Sequence, residues 1–123
     1  MVQSISSQST TQSAYWVTVC SIDQILLNTG VCALVDGHQV AIFRVGAELY
    51  AIDNYDPFSK AFVLSRGIVG DRNGVPKVAS PIYKQNFNLQ TGECFDDPTV
   101  RLTTFAVRVI DNQVQIGQAI VNE

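Results

Sequence analysis

Short apolar runs alternate with two-residue turn signals through most of this chain. Val31–Val35 and His38–Val45 flank Asp36-Gly37, a pair suited to a type I′ hairpin turn, in which both central residues need positive φ. Gly46-Ala47 separates the second run from Glu48–Asp53 and places glycine at the first turn position, as a type II′ turn requires. Asn73-Gly74, Thr91-Gly92 and Asp111-Asn112 mark three further turns between strand-like segments. Around the last of these, Phe105, Val107 and Val109 share one face and Val114 and Ile116 continue it, which predicts a hairpin with one dry and one wet side. Val40-Ala41-Ile42-Phe43 is apolar on both faces. That strand is either covered twice within the domain or meets another chain, and the first reading is preferred because buried strands show this pattern.

One segment reads as helix. In Ser21-Ile22-Asp23-Gln24-Ile25-Leu26-Leu27 the Ser21 and Gln24 positions have capping-box spacing, and Gly30 follows the end. So short a helix must lean on the sheet. The pattern therefore predicts an all-β fold, a small antiparallel barrel or sandwich with one short N-terminal helix. Residues 1–14 are rich in Ser, Thr and Gln, lack Lys and Arg, and hold no apolar block, which predicts a disordered tail rather than a secretory signal. Residues 15–118 are expected to form one domain and residues 119–123 a C-terminal tail.

Composition narrows the function classes. A chain of 123 residues with 46% hydrophobic content can build a core without a metal or disulfide. Its charged share of 15% lies well below the roughly 25% usual for soluble domains, which suggests that a partner covers part of the surface. The net charge of −3 lacks the basic footprint of a nucleic-acid binder. No apolar run approaches the roughly 18 residues that a membrane helix needs. Cys20, Cys32 and Cys94 are odd in number and widely spaced, and His38 is the sole histidine, so zinc or iron sites built from Cys and His lack ligands. The cysteines are expected to be free, buried thiols of a reducing compartment.

Catalytic constellations are equally thin. A Ser–His–acid group would have to use His38, which follows a hairpin turn and is expected to be exposed. Asp96, Asp97 and Asp111 read as turn acids. Gly67-Ile68-Val69-Gly70 lacks the lysine and following helix of a phosphate loop.

The most informative stretches are Tyr50–Lys60 and Ser80–Glu93. They resemble the two cluster-binding loops of a Rieske iron–sulfur domain, in which each loop gives one Cys and one His to a two-iron cluster. Laid on the family pattern, Asp56 and Phe58 fall at the ligand positions of the first loop, with Pro57 matching its proline. Ser80 and Tyr83 fall at those of the second, Lys84 takes the following glycine position, and Pro81, Phe87, Leu89 and Thr91-Gly92-Glu93 match the family. All four ligands are gone from these positions. Phe58 has no lone pair to offer, and tyrosine would be an unusual substitute for imidazole at position 83.

Ligand-free Rieske-like domains of this kind resemble the small subunit of the assimilatory NAD(P)H-dependent nitrite reductase. The segments that carry the resemblance are Asp56-Pro57-Phe58, Val63-Leu64-Ser65-Arg66-Gly67, and Val78-Ala79-Ser80-Pro81 followed by Lys84-Gln85. Thr29–Leu34 and Gln39–Arg44 add to it. The resemblance implies a Rieske-like barrel with no cofactor and no catalytic residue of its own. It further implies a cytoplasmic complex with a large subunit that carries FAD, an iron–sulfur cluster and sirohaem and reduces nitrite to ammonium. It also implies that Pro57, Phe58, Ser59, Lys60, Pro81, Ile82, Tyr83, Lys84 and Gln85 lie together at one end as a contact surface for that subunit. Phe58 and Tyr83 are then either anchors of the contact or fillers of the space a cluster would occupy. The alternatives are an interaction module of another redox complex and a Rieske-type electron carrier with unusual ligands.

Overall fold

A computed structural model describes residues 15–120. Within them the predicted turns appear where expected. β2 (Thr29–Val35) and β3 (His38–Val45) pair through Asp36 and Gly37, both at positive φ (51° and 78°), as a type I′ turn requires. β4 (Glu48–Asp53) follows with positive φ at Gly46, the first turn position. Asn73-Gly74 joins β7 (Ile68–Arg72) to β8 (Val75–Ala79). Asp111-Asn112 joins β10 (Thr104–Ile110) to β11 (Gln113–Ile120), both residues in the left-handed region without the help of glycine.

With β1 (Val17–Ser21), these strands form a six-stranded antiparallel sheet in the order β1-β11-β10-β4-β3-β2. Its edge strands β1 and β2 face one another across a groove of about 470 Å³, so the barrel is nearly closed. Two smaller sheets complete the fold. One is the short hairpin of β5 (Tyr55–Asp56) and β6 (Ala61–Phe62), and the other is β7-β8-β9, with β9 at Asn86–Asn88.

The doubly apolar strand is explained by two separate cores. Val40 and Ile42 face the barrel interior with Ile25, Val35, Ala51, Val114 and Ile116. Ala41 and Phe43 face the opposite way, into a cluster with Ile52, Leu64, Val78, Phe87, Leu89, Cys94 and Leu102. Alternate side chains of one strand thus hold the barrel to the part of the chain that carries the two loops. Each large side chain taken fully out of water contributes about 1.5–3 kcal/mol. Gly92 shows how tightly the second cluster's border is drawn: its φ is +83° and a Cβ there would run into the Leu102 carbonyl oxygen.

Four expectations need correction. The N-terminal helix is one 3₁₀ turn, Ile22–Gln24; the capping box forms, but Ile25 turns extended and buries itself, and Arg44 donates to the Ile25 carbonyl at 3.0 Å and, at 3.5 Å, to the Ile22 carbonyl that also accepts from the Ile25 amide. Val109 is 42% exposed: it keeps the face of Val107 and pairs with Val114 in regular register, but it lies next to the hairpin end, past the reach of the barrel core that still covers Phe105 and Val107. β11 runs through Ile120, so Ala119 and Ile120 belong to a strand and not to a tail. The tail expected over 1–14, and residues 121–123, lie outside the described residues. Of the three thiols only Cys94 is fully buried; Cys32, on an edge strand, is exposed although its Sγ lies 3.5 Å from Gln39 Oε1 and Asn54 Nδ2, and Cys20 is half-buried.

Candidate functional site

The two singled-out loops meet at one end of the molecule and are joined by their vestigial positions. Asp56 and Ser80 are both fully buried, and the Ser80 hydroxyl donates to Asp56 Oδ2 at 2.5 Å. The Ser59 hydroxyl donates to the same oxygen at 2.8 Å, and the Phe58 amide to Oδ1 at 2.9 Å. Burial alone would raise the Asp56 pKa; the hydrogen bonds from Ser80, Ser59 and the Phe58 and Ser59 amides outweigh it and hold the pKa below the ordinary carboxylate value. No cation pairs with this carboxylate, since the single ion pair among the described residues is His38–Asp53 at 3.6 Å. Asp56 is therefore a buried anion kept charged by donors alone.

The loops have the same backbone construction. The Lys60 amide donates to the Asp56 carbonyl at 2.7 Å, and the Lys84 amide to the Ser80 carbonyl at 3.1 Å. Each loop thus closes from a lysine onto the residue four positions earlier, and those two residues are bonded to each other. Both lysines lie in the left-handed region, Lys60 at φ 59° and Lys84 at φ 68°. That conformation costs a side-chain-bearing residue about 1–2 kcal/mol and costs glycine almost nothing. Both lysines are exposed; Lys84 Nζ donates to the Pro81 carbonyl at 3.1 Å.

The aromatic residues at the two imidazole positions behave differently. Phe58 is half-buried and packs on the second core, its ring 6.1 Å from that of Phe87 at 47°. Tyr83 is 61% exposed and its neighbour Ile82 is 44% exposed. The filler role fits Phe58 and not Tyr83. Pro57, Ser59, Pro81 and Gln85 are partly buried between them, and Gln85 Oε1 is a buried acceptor without a hydrogen-bond partner.

These positions do not fit a two-iron cluster. The carboxylate and hydroxyl at the two thiolate positions are spent on each other, and a phenyl ring packed into the core stands where one imidazole would be. No step is assigned to such a group.

Other candidates fall away on geometry. His38 is exposed and its ring lies 5.7 Å from Phe105, and among the described residues no serine hydroxyl is hydrogen-bonded to it. Asp96 accepts from the Asn86 amide at 2.7 Å, and Asp97 caps the Thr99 amide and hydroxyl, which lower its pKa. Burial raises the pKa of all three thiols. Sequence reasoning missed Asn54, which is 2% exposed. Its Nδ2 donates to Gln39 Oε1 at 3.0 Å, and its Oδ1 accepts from the Ser65 amide at 2.8 Å, tying the barrel to the segment after the first loop. Its one sequence signal was a polar residue lodged between two strands.

The barrel with its two-loop end defines a Rieske-type domain in which hydrogen bonds occupy the places of the cluster ligands. The Rieske-like [2Fe-2S] domain family matches residues 15–117. The small subunit of nitrite reductase (NADH) from Salmonella typhimurium is 47% identical over 103 residues, 82% of this chain and 95% of that protein. The solution structure of Escherichia coli NirD superimposes with a TM-score of 0.78 at 44% identity, covering 83% of this chain and 94% of that one. The large subunit of nitrite reductase [NAD(P)H] from Klebsiella oxytoca matches 83% of this chain at 39% identity through only 11% of its own length. The chain belongs to the family of nitrite reductase NAD(P)H small subunits, within the Rieske-like domains.

Proposed function

We propose that this chain is the non-catalytic small subunit of a cytoplasmic NAD(P)H-dependent nitrite reductase. It carries no cofactor of its own and docks its two-loop end on a large subunit that holds FAD, an iron–sulfur cluster and sirohaem and reduces nitrite to ammonium. The observation that supports the reading is the Asp56–Ser80 bond: at the two thiolate positions stand a carboxylate and a hydroxyl that are spent on each other. The Klebsiella large subunit supports the choice of partner, because a stretch like this chain is there part of the same polypeptide. Among the described residues no helix is long and apolar enough to cross a membrane.

The contact face of this reading comprises Pro57, Phe58, Ser59, Lys60, Pro81, Ile82, Tyr83, Lys84 and Gln85, with Tyr83 and Ile82 as its exposed apolar centre. Central aromatic anchors within a polar rim are the usual composition of an interface hot spot. The test is nitrite-dependent NADH oxidation by the purified large subunit with and without this chain, alongside co-purification of the two. Association with higher or longer-lived activity is expected. Iron in the isolated chain, or failure of the two subunits to associate, overturns the reading.

A further inference from the structure

We propose that Lys60 and Lys84 are the recognition residues of the two-loop end, placed to meet an acidic surface on the large subunit; this rests on the docking reading above and adds the charge class of the surface met. Four observations lead to it. The two lysines occupy equivalent places, each closing a loop onto the carbonyl of the residue four positions earlier, Asp56 or Ser80. Both are held in a left-handed conformation that glycine adopts at least cost, so the backbone gains nothing from a side chain at either site. Neither ammonium pairs with a carboxylate among the described residues, in a chain whose net charge is −3. Lys84 directly follows Ile82 and Tyr83, the exposed apolar residues of the second loop, and Lys60 closes the loop joined to it by the Asp56–Ser80 bond.

Residues held in sparsely populated backbone regions by their surroundings cluster at functional contact sites. The side chain kept at both sites is a cation that meets no carboxylate among the described residues; the Lys84 ammonium reaches only the neutral Pro81 carbonyl. Carboxylates on the opposing surface supply the missing charge, and pairs at the rim of an interface steer encounter and fix register. The Asp56–Ser80 bond sets the spacing between the two loops, so the lysines are presented as a fixed pair rather than as two independent flexible charges.

Replacing both lysines by glycine tests this directly, because the substitution removes strain and charge together. The Lys60→Gly/Lys84→Gly chain is expected to keep its Tm or raise it by up to about 4 °C, while binding the large subunit roughly tenfold or more weakly at low salt. The difference should shrink toward none near 0.5 M salt, where exposed charges are screened. Lys60→Arg/Lys84→Arg should keep most of the affinity. A glycine variant that binds as tightly as the parent chain, with unchanged salt dependence, overturns the inference while the docking reading stands. A glycine variant whose Tm falls overturns it too, since the lysines would then serve the fold. If the unaltered chain does not bind the large subunit, the docking reading itself fails and this inference with it.

Discussion

The ring of Phe58 lies 6.1 Å from that of Phe87, so a residue at a vestigial ligand position has become part of the second core. Tyr83, at the corresponding position of the other loop, points out and stays 61% exposed. The two aromatic residues that sequence alone could not tell apart therefore have separable roles. Phe58→Ala is expected to lower the stability of the isolated chain by about 1–3 kcal/mol, less than a fully buried phenylalanine would cost. Tyr83→Ala should change stability by less than about 0.5 kcal/mol yet weaken association with the large subunit. Urea unfolding of both variants and a binding titration read the two effects. Equal destabilisation by the two substitutions would place both rings in the core and remove Tyr83 from the contact.

Acid should loosen the two-loop end. Because the folded-state pKa of Asp56 is depressed below its unfolded value, its contribution is fully present above the ordinary carboxylate range. It is lost as pH falls from about 4 through the folded-state pKa. Asp56→Asn keeps the shape but removes the charge that receives the Ser59 and Ser80 hydroxyls. The parent chain should exceed this variant in stability at pH 7, and the gap should narrow as the pH falls below about 4. Asp97, also depressed but on the surface, is unchanged between the two and drops out of the comparison. A gap that is constant from pH 7 to pH 3 would show that the carboxylate charge contributes nothing.

Asn54 is the joint between the barrel and the loops. Removing its side chain leaves the Ser65 amide without its partner and Gln39 Oε1 with only the weak Cys32 thiol donor at 3.5 Å. Asn54→Ala is expected to cost about 2–4 kcal/mol, since buried donors and acceptors left unpaired cost more than the bond itself was worth. Hydrogen exchange should show the loss first at the Ser65 amide. A variant as stable as the parent would mean that water replaces the amide there.

The strand-and-turn plan was written locally, and local rules recovered it. Asp36-Gly37 and Asn73-Gly74 can supply two consecutive positive φ values cheaply, and each stands at the turn of an observed hairpin. Val40–Phe43 announced a strand buried on both faces because no polar residue interrupts it. The capping box of Ser21 and Gln24 also formed, but the helix it announced did not, because Ile25 gains more by entering the barrel core than by continuing a turn. Of the vestigial site, the sequence alone determined the loss of every cluster ligand, a matter of residue identity.

What the tertiary structure decided was what took the ligands' place. The approach of Asp56 and Ser80, 24 positions apart, and the burial of one aromatic ring and exposure of the other depend on how β5, β6 and β8 are brought together over the second core. No short-range pattern encodes them, because each is a contact between segments whose own preferences are satisfied equally well apart.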